Sequence, residues 1–448
     1  MKQNHDFTVG DIRKHLVYFS VPIMFTNLLQ LSYQFIDSLW VGNLIGADAL
    51  GSVAVASTAI NVALAFILGI STATLTILSQ LRAKRDKEGL VRYLNAFVVL
   101  LVGLSLIAGF IGFAFAENIL YLLNTPSSMI YEAKIYLQIN SVGIIFLIGY
   151  NFIGTVMRAI GDSKTPLKIV FATVILNSVL DPIFIGPLGM GVAGAALATI
   201  LSQGISFFAG LVYVYYNKLL PFSKPFLPGK NEVSVILRLG IPAGLQRSVI
   251  SAGSAAIMSV INSFGPAVVS GYSAAGRLDS LIMLPASSLG TAVTSMSGQN
   301  IGANKWDRVY KTARNGLLFN IIVMLPIALL VYIFAEPAVR LFIQDADSVA
   351  FAKQYLQTIA FFYPFLGINF VLNGVVRGSG AMYQVLVLNI ISFWLLRYPL
   401  TGLISSIMGE SGIAIGMGVS FVISSIFASA YYRFGGWRNK ELFRSNNE

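Results

Sequence analysis

Apolar runs of twenty or more residues recur from one end of this 448-residue chain to the other, and most charged residues fall in the short segments between them. A run of that length crosses the ~30 Å hydrocarbon core of a bilayer as an α-helix. Polar, glycine and proline breaks divide the chain into twelve spans, at about 15–41, 49–79, 93–116, 130–158, 165–186, 190–216, 234–262, 267–297, 310–335, 350–376, 381–406 and 411–433. Lipid offers no hydrogen-bond partner to an open backbone, and the short alternating pattern of a membrane barrel is absent, so every span is expected to be helical. The predicted fold class is an all-α membrane protein with twelve transmembrane helices.

Composition closes off the alternatives. Charged residues make up 11% of the chain and hydrophobic ones 56%, against about 25% charged in ordinary globular domains. A net charge of +11 is the kind of imbalance that nucleic-acid binding produces, but its placement argues for a membrane. Of the 30 Lys and Arg residues, 24 fall on one side of the spans: in the N-terminus, in the loops after spans 2, 4, 6, 8 and 10, and in the C-terminal tail. Lys134, Arg340 and Lys353 fall on the other side, and Arg247, Arg277 and Arg397 inside spans. Positive charge collects on the cytoplasmic face, so both termini are expected there, in the cell membrane, with no nucleic-acid partner. The first apolar stretch is too long for a signal-peptide core and lacks a small-residue cleavage pattern, so it reads as an uncleaved first span.

The same inventory excludes most chemistry. There is no cysteine, and the two histidines, His5 and His15, sit in the polar N-terminus. No P-loop, H-E-x-x-H or G-x-S-x-G motif is present. An enzyme is not expected, nor a cofactor, and no loop is long enough for a nucleotide-hydrolysing domain. Energy for any transport must come from an ion gradient or from the substrate itself.

The two halves repeat at an offset near 220. Pro22 recurs as Pro242, and Asn151-Phe152 with Val156-Met157-Arg158 and Gly161 recurs as Asn369-Phe370 with Val375-Val376-Arg377 and Gly380. Gly191-Val192-Ala193-Gly194 matches Gly412-Ile413-Ala414-Ile415. Six spans per half, an even number, make the repeats parallel, related by a pseudo-two-fold axis along the membrane normal. The expected lobes are 1–220 and 221–448, joined by a polar linker at about 217–233. Such a pair suits alternating access to a site near mid-membrane.

A charge at the bilayer centre costs at least ~2.5–3.5 kcal/mol, so intramembrane ionisable residues are functional candidates. In the first half these are Asp37 and Asp181. Asn27, Gln30, Gln34 and Asp37 are spaced 3, 4 and 3 and share one face of span 1, with Tyr33 beside them. This stripe is the candidate substrate-binding face. Thr173, Asn177 and Asp181 share a face of span 5, Thr199 lies about a turn from Gln203 on span 6, and Tyr136 shares a face of span 4 with Asn140. Two carboxylates, an amide oxygen and a hydroxyl are hard ligands suited to Na+ or to protons. Two carboxylates in a low dielectric resist joint ionisation, so a proton or a cation is expected between them.

The second half is basic inside, with Arg247, Arg277 and Arg397 around Asp279. Arg277 and Asp279 are two residues apart and do not face each other on a helix, so the partners of this charge network are expected on spans 7 and 11, where Arg247 and Arg397 are the candidates. It reads equally as a structural ion-pair network and as part of a transport site. Arg397, near the outer end of its span, can also snorkel. Pro22 removes a helix hydrogen bond inside span 1 and reads either as a hinge or as a static bend.

These features together resemble the multidrug and toxic compound extrusion (MATE) family of the polysaccharide and lipid flippase superfamily. The resemblance rests on Pro22 with Gln34-Phe35-Ile36-Asp37-Ser38-Leu39-Trp40-Val41-Gly42, on Val156 to Asp162, and on Leu176-Asn177 with Asp181-Pro182 and Gly189 to Thr199. It implies a V-shaped pair of six-helix bundles that export cationic, lipophilic drugs in exchange for Na+ or H+, contribute to antibiotic resistance and act as monomers. In the prokaryotic DinF-like branch, the resemblance implies that Asp37, Asn177, Asp181, Thr199 and Tyr136 hold the coupling ion (the first four as metal ligands if it is Na+) and that span 1 bends at Pro22. The NorM-like branch also uses acids of the second lobe, but here Gln246 and Arg247 stand in span 7 where such an acid would lie, which favours coupling in the first lobe. The alternatives are a lipid-linked saccharide flippase of the same superfamily, whose intramembrane arginines would bind pyrophosphate, and a membrane protein with no transport role.

Overall fold

A computed structural model describes residues 6–221 and 226–443, apart from the side chain of Phe66. Lys2, His5, Lys224, Arg444 and the linker residues 222–225 lie outside the described residues. Helices follow one another along the chain: α1 (Ile12–Leu44), α2 (Ala47–Lys84), α3 (Lys87–Ala114), α4 (Ala116–Leu122), α5 (Ser127–Ala159), α6 (Lys164–Ile185), α7 (Gly191–Tyr216), α8 (Lys230–Asn262), α9 (Pro266–Ile282), α10 (Leu284–Gly302), α11 (Trp306–Arg340), α12 (Ala346–Ala360), α13 (Tyr363–Gly378), α14 (Met382–Ile390), α15 (Tyr398–Met408) and α16 (Ser411–Phe434). A π-helical turn, Ile391–Arg397, joins α14 to α15. No strand occurs among the described residues.

Among the described residues, ten helices are long and apolar enough to cross a membrane, counting Met382–Met408 as one. The pair α12–α13 passes the same test with a 54° bend between its members, and α9–α10 occupies the remaining predicted span. Proline accounts for the two interruptions. Pro285 and Pro364 stand at the starts of α10 and α13, where the missing N–H is harmless because a first-turn donor has no partner anyway. Pro399 likewise stands at the start of α15, just after the π turn.

Local signals set the ends. Asp86 and Asp345 cap α3 and α12 by accepting from Gly89 N at 2.8 Å and Ser348 N at 3.0 Å. The hairpins α1–α2 and α8–α9 each turn on a glycine with positive φ, Gly46 at 126° and Gly265 at 96°, conformations that side-chain-bearing residues avoid. Their separation of 219 positions follows the internal repeat.

Packing divides the chain into two compact units. One is Phe25–Gly244, and the other combines Asp6–Met24 with the chain from Leu245 onward. Each half's first helix therefore changes unit two residues after its proline. Hydrophobic transfer does little to hold helices together in lipid, so close approach through small residues matters more. In the first unit a Cβ at Gly69 of α2 would meet backbone atoms of Gly244 at 2.3 Å and of Gly240 at 2.7 Å, so α2 and the start of α8 touch backbone to backbone. In the second unit Leu16, Phe19 and Ile23 of α1 join Leu289, Val293 and Met296 of α10 in one apolar cluster. Arg308 anchors the chain before α1 by donating to the carbonyls of Phe7, Val9 and Gly10.

Candidate functional site

Within the first unit α1, α2, α5, α6 and α7 enclose a cavity of about 450 Å³. That volume suits a drug-sized molecule. Gln30, Tyr33, Gln34 and Asp37 reach it from α1, Tyr136 and Asn140 from α5, and Thr199 with Gln203 from α7. The structure thus brings most of the span 1 stripe to one cavity. Asn27 is half-buried, is not among the lining residues and is engaged elsewhere.

Asn177 and Asp181 stand behind the lining, both fully buried, where Asn177 Nδ2 donates to Asp181 Oδ1 at 3.0 Å. Asp37 is 8% exposed and near enough for its charge to act on Asp181. The hydroxyl of Tyr33 lies beside Thr199 and near Asp37, and that of Tyr136 beside Ser57. Five buried oxygens in this group accept or donate no hydrogen bond: Tyr33 Oη, Asp37 Oδ1, Asn177 Oδ1, Asp181 Oδ2 and Thr199 Oγ1.

A buried polar atom without a partner costs about 1–3 kcal/mol, and nearly all such atoms in folded proteins are satisfied. Five together, from three helices and including both intramembrane acids of this half, form one group of oxygens with capacity left to hold a ligand. All five are hard oxygen donors, and no histidine, cysteine or third acid stands among them, which suits Na+ or H+ better than a transition metal. Sequence reading missed Ser57 and Asn61 of α2, and Tyr150 and Asn151 of α5, which also line the cavity. Ser57 and Asn61 are four apart in an apolar run, a helical spacing that could have flagged them.

The charges of the second half are placed differently from the expectation. Among the described residues, no ion pair joins Asp279 to Arg247, Arg277 or Arg397. Asp279 instead accepts from the hydroxyl of Tyr355 on α12 at 3.2 Å and from that of Tyr363 at the start of α13. Arg397 does not snorkel. It is 6% exposed, with its guanidinium 3.9 Å from the Phe393 ring centre and 4.5 Å from that of Phe421, and its Nε donates to Ser420 at 3.3 Å. Aromatic faces and neutral donors satisfy these charges, so spans 8, 10, 11 and 12 are tied together without the expected ion-pair network.

The sequence profile of the MatE family matches this chain twice, at residues 22–183 and 242–403. The chain belongs to the MatE family. The two matches are offset by 220 positions, the period of the internal repeat. The probable multidrug resistance protein YpnP of Bacillus subtilis is 58% identical to this MatE chain, over 98% of this chain and 99% of its own length. The probable multidrug resistance protein NorM of Thermotoga maritima is 27% identical, over 97% of this chain and 95% of its own. A solved structure described as the outward-facing conformation of a multidrug resistance MATE family transporter is similar with a TM-score of 0.91 at 22% identity, covering 97% of this chain and 98% of that one. The fold is therefore the twelve-helix MATE fold. Proteins of this family are multi-pass membrane transporters, not enzymes, and need no cofactor.

Proposed function

We propose that this MatE chain exports lipophilic organic cations, drugs among them, in exchange for H+ or Na+ by alternating access. The observation that carries the reading is the cluster of five partnerless buried oxygens beside a drug-sized cavity. In this account Asp37, Asn177, Asp181, Thr199 and Tyr136 hold the ion, while Asp37, Gln34, Tyr33 and Gln30 meet the organic cation, with Asn27 completing the same helix face. Asp37 belongs to both sets. Substrate and ion then compete for one carboxylate, which is the simplest way to make the entry of one expel the other. Exchange of one monovalent cation for one ion moves no net charge, so each tenfold ion gradient supplies about 1.4 kcal/mol.

Coupling confined to the first half is the arrangement of the DinF-like branch, and the absence of an acid in the membrane-buried part of α8 supports it. The lobes 1–220 and 221–448 are taken as the moving bodies, α1 as a helix that bends at Pro22, and the protein as a monomer in the cell membrane with both termini in the cytoplasm. The names of the relatives, multidrug resistance proteins in Bacillus subtilis and Thermotoga maritima, support drugs as substrates.

The test is drug resistance in cells that express Asp37→Asn at the level of the unaltered chain. The substitution keeps the size of the side chain and removes its charge, so resistance should fall to that of cells without the transporter. Full resistance would refute the assignment.

A further inference from the structure

The first unit holds a second cavity, of about 460 Å³, whose described lining shares only Ile148 with that of the oxygen-lined one. Helix α5 packs against both α3 and α7, and this cavity occupies the space between those two, with α5 as its floor. The rings of Phe146, Phe207 and Phe208 form one wall, with Phe207 and Phe208 centred 5.2 Å apart and Phe146 and Phe208 5.9 Å apart. Gly149 lets them approach the floor, since a Cβ there would meet the Phe207 ring at 2.5 Å.

Two polar side chains line this cavity among the described residues, Asn95 and Ser105, and both are occupied. Asn95 Nδ2 donates to the carbonyl of Phe226 at 2.6 Å, and Asn95 Oδ1 accepts from Phe226 N at 3.2 Å. Ser105 Oγ donates to the carbonyl of Leu101 at 2.6 Å. Water held in a cavity needs roughly two to four polar partners, and a charge at membrane depth needs a partner or water around it. Neither finds one here, whereas the other cavity has five partnerless oxygens beside it. Left unfilled, a space of this size forfeits the contacts its walls can make. The occupant that suits it is a hydrocarbon chain.

Its dimensions agree. The lining runs from Val91 to Ser105 on α3 and from Ile145 to Val156 on α5, which at 1.5 Å per residue is ~21 Å and ~17 Å. One leaflet's share of a ~30 Å hydrocarbon core is ~15 Å, so the cavity is about as tall as one lipid chain. Val98 and Val102 of α3 and Phe208 of α7 both line it and are exposed, which gives a chain a way in from the bilayer. Where α3 begins and α7 ends, Lys87, Arg92 and Lys218 are exposed, and Arg92 pairs with Glu232 at 3.4 Å. Basic residues next to a span attract anionic headgroups.

We infer that this cavity is a binding site for one acyl chain of an anionic phospholipid, whose headgroup lies over the basic end of α3 and α7. The lipid is a bound partner and not cargo, so the inference does not depend on the export reading. Ordinary lipid contact has a reference in the same molecule, the face of α11 on which Leu325, Leu329 and Ile333 are exposed.

The full chain is reconstituted into liposomes of phosphatidylethanolamine and phosphatidylglycerol that contain a trace of phosphatidylglycerol with a photoreactive diazirine midway along one chain. After irradiation, labelled peptides are quantified by mass spectrometry. The expected result is labelling of the α3, α5 and α7 walls at least fivefold above the exposed face of α11. Val98→Phe with Val102→Phe, which fills the cavity from its open side, should lower wall labelling at least fivefold and leave labelling of α11 unchanged. Equal labelling of the walls and α11 in the unaltered chain overturns the inference and reduces the lipid to general contact, whether or not the variant folds. Wall labelling that the filled variant does not lower, with its α11 labelling intact, overturns it too. Displacement of the label from the walls by excess ethidium would assign the cavity to organic cations and would likewise overturn it.

Discussion

Asn177 holds Asp181 through a single hydrogen bond of 3.0 Å, from Nδ2 to Oδ1, one turn along α6. The geometry uses the donor of the amide and one carboxylate oxygen, and it leaves Asn177 Oδ1 and Asp181 Oδ2 without partners. The amide thus fixes the orientation of the acid while both residues keep an oxygen free for a ligand. A purely structural pair would be expected to satisfy those oxygens too, since low local dielectric makes partial satisfaction expensive.

This relationship predicts coupling between the two residues. Asn177→Ala and Asp181→Asn should each slow ion-driven efflux at least tenfold, and the double variant should be little slower than the worse single one, because both remove the same ligand set. Efflux rates in proteoliposomes check it; fully additive losses would mean that the residues act separately.

Tyr33 contributes only its hydroxyl to the oxygen cluster, so Tyr33→Phe leaves the ring and the packing in place. Loss of one hydroxyl contact should weaken the organic cation about tenfold, equivalent to ~1.4 kcal/mol. The midpoint of the organic-cation concentration dependence of efflux is the readout, and an unchanged midpoint would remove Tyr33 from the substrate face.

Gly69→Ala tests the backbone contact between α2 and α8. The nearest atoms belong to the backbones of Gly244 and Gly240, which cannot rotate away as a side chain could. Overpacking of this kind costs typically ~1–3 kcal/mol. Thermal unfolding in detergent should show a lower midpoint than the unaltered chain, whereas Gly103→Ala, where a Cβ meets nothing within 4 Å, should not.

Asp345 caps α12 outside the membrane and accepts from Ser348 N at 3.0 Å and Ser348 Oγ at 2.6 Å. These bonds favour the ionised form and hold its pKa below the ordinary 3.8. A carboxyl lowered on folding stabilises the protein above its unfolded pKa, and that contribution is lost as pH falls from about 3.8 through the lower folded value. The unfolding midpoint of Asp345→Ala should therefore lie below that of the unaltered chain at pH 7, with the gap closing as the pH is taken towards 3. A gap that is the same at both ends of the titration would show that the cap does not depend on charge.

Much of the fold was legible because lipid imposes one demand, a long apolar run, and each such run became helix. The interruptions were not. Hydropathy passes smoothly through Met283 and through Phe361-Phe362, and the breaks become visible only from Pro285 and Pro364, which also fit an unbroken, kinked helix. Helix α4 escaped because its seven residues are too short to stand out beside a span.

The site followed the same division. Gln30, Gln34, Asp37 and Asn177 with Asp181 were readable from their three- and four-residue spacing, since a helix turns that spacing into a shared face. Which other helices face them is a tertiary fact, and so Ser57, Asn61 and Tyr150 went unnoticed. The second half misled for the reverse reason. Opposite charges invite pairing on paper, but aromatic rings and tyrosine hydroxyls satisfied Arg397 and Asp279 instead, and residue types alone do not reveal that competition.

The central claim is that the buried acids of the first half exchange an ion for cargo. Its most direct test is efflux of a fluorescent organic cation from proteoliposomes, with a pH gradient and a Na+ gradient imposed one at a time, for the unaltered chain and for Asp37→Asn. The account predicts that one of the gradients drives efflux by the unaltered chain and that neither drives it through the variant. Efflux that ignores both gradients, or that persists undiminished in Asp37→Asn, would contradict it.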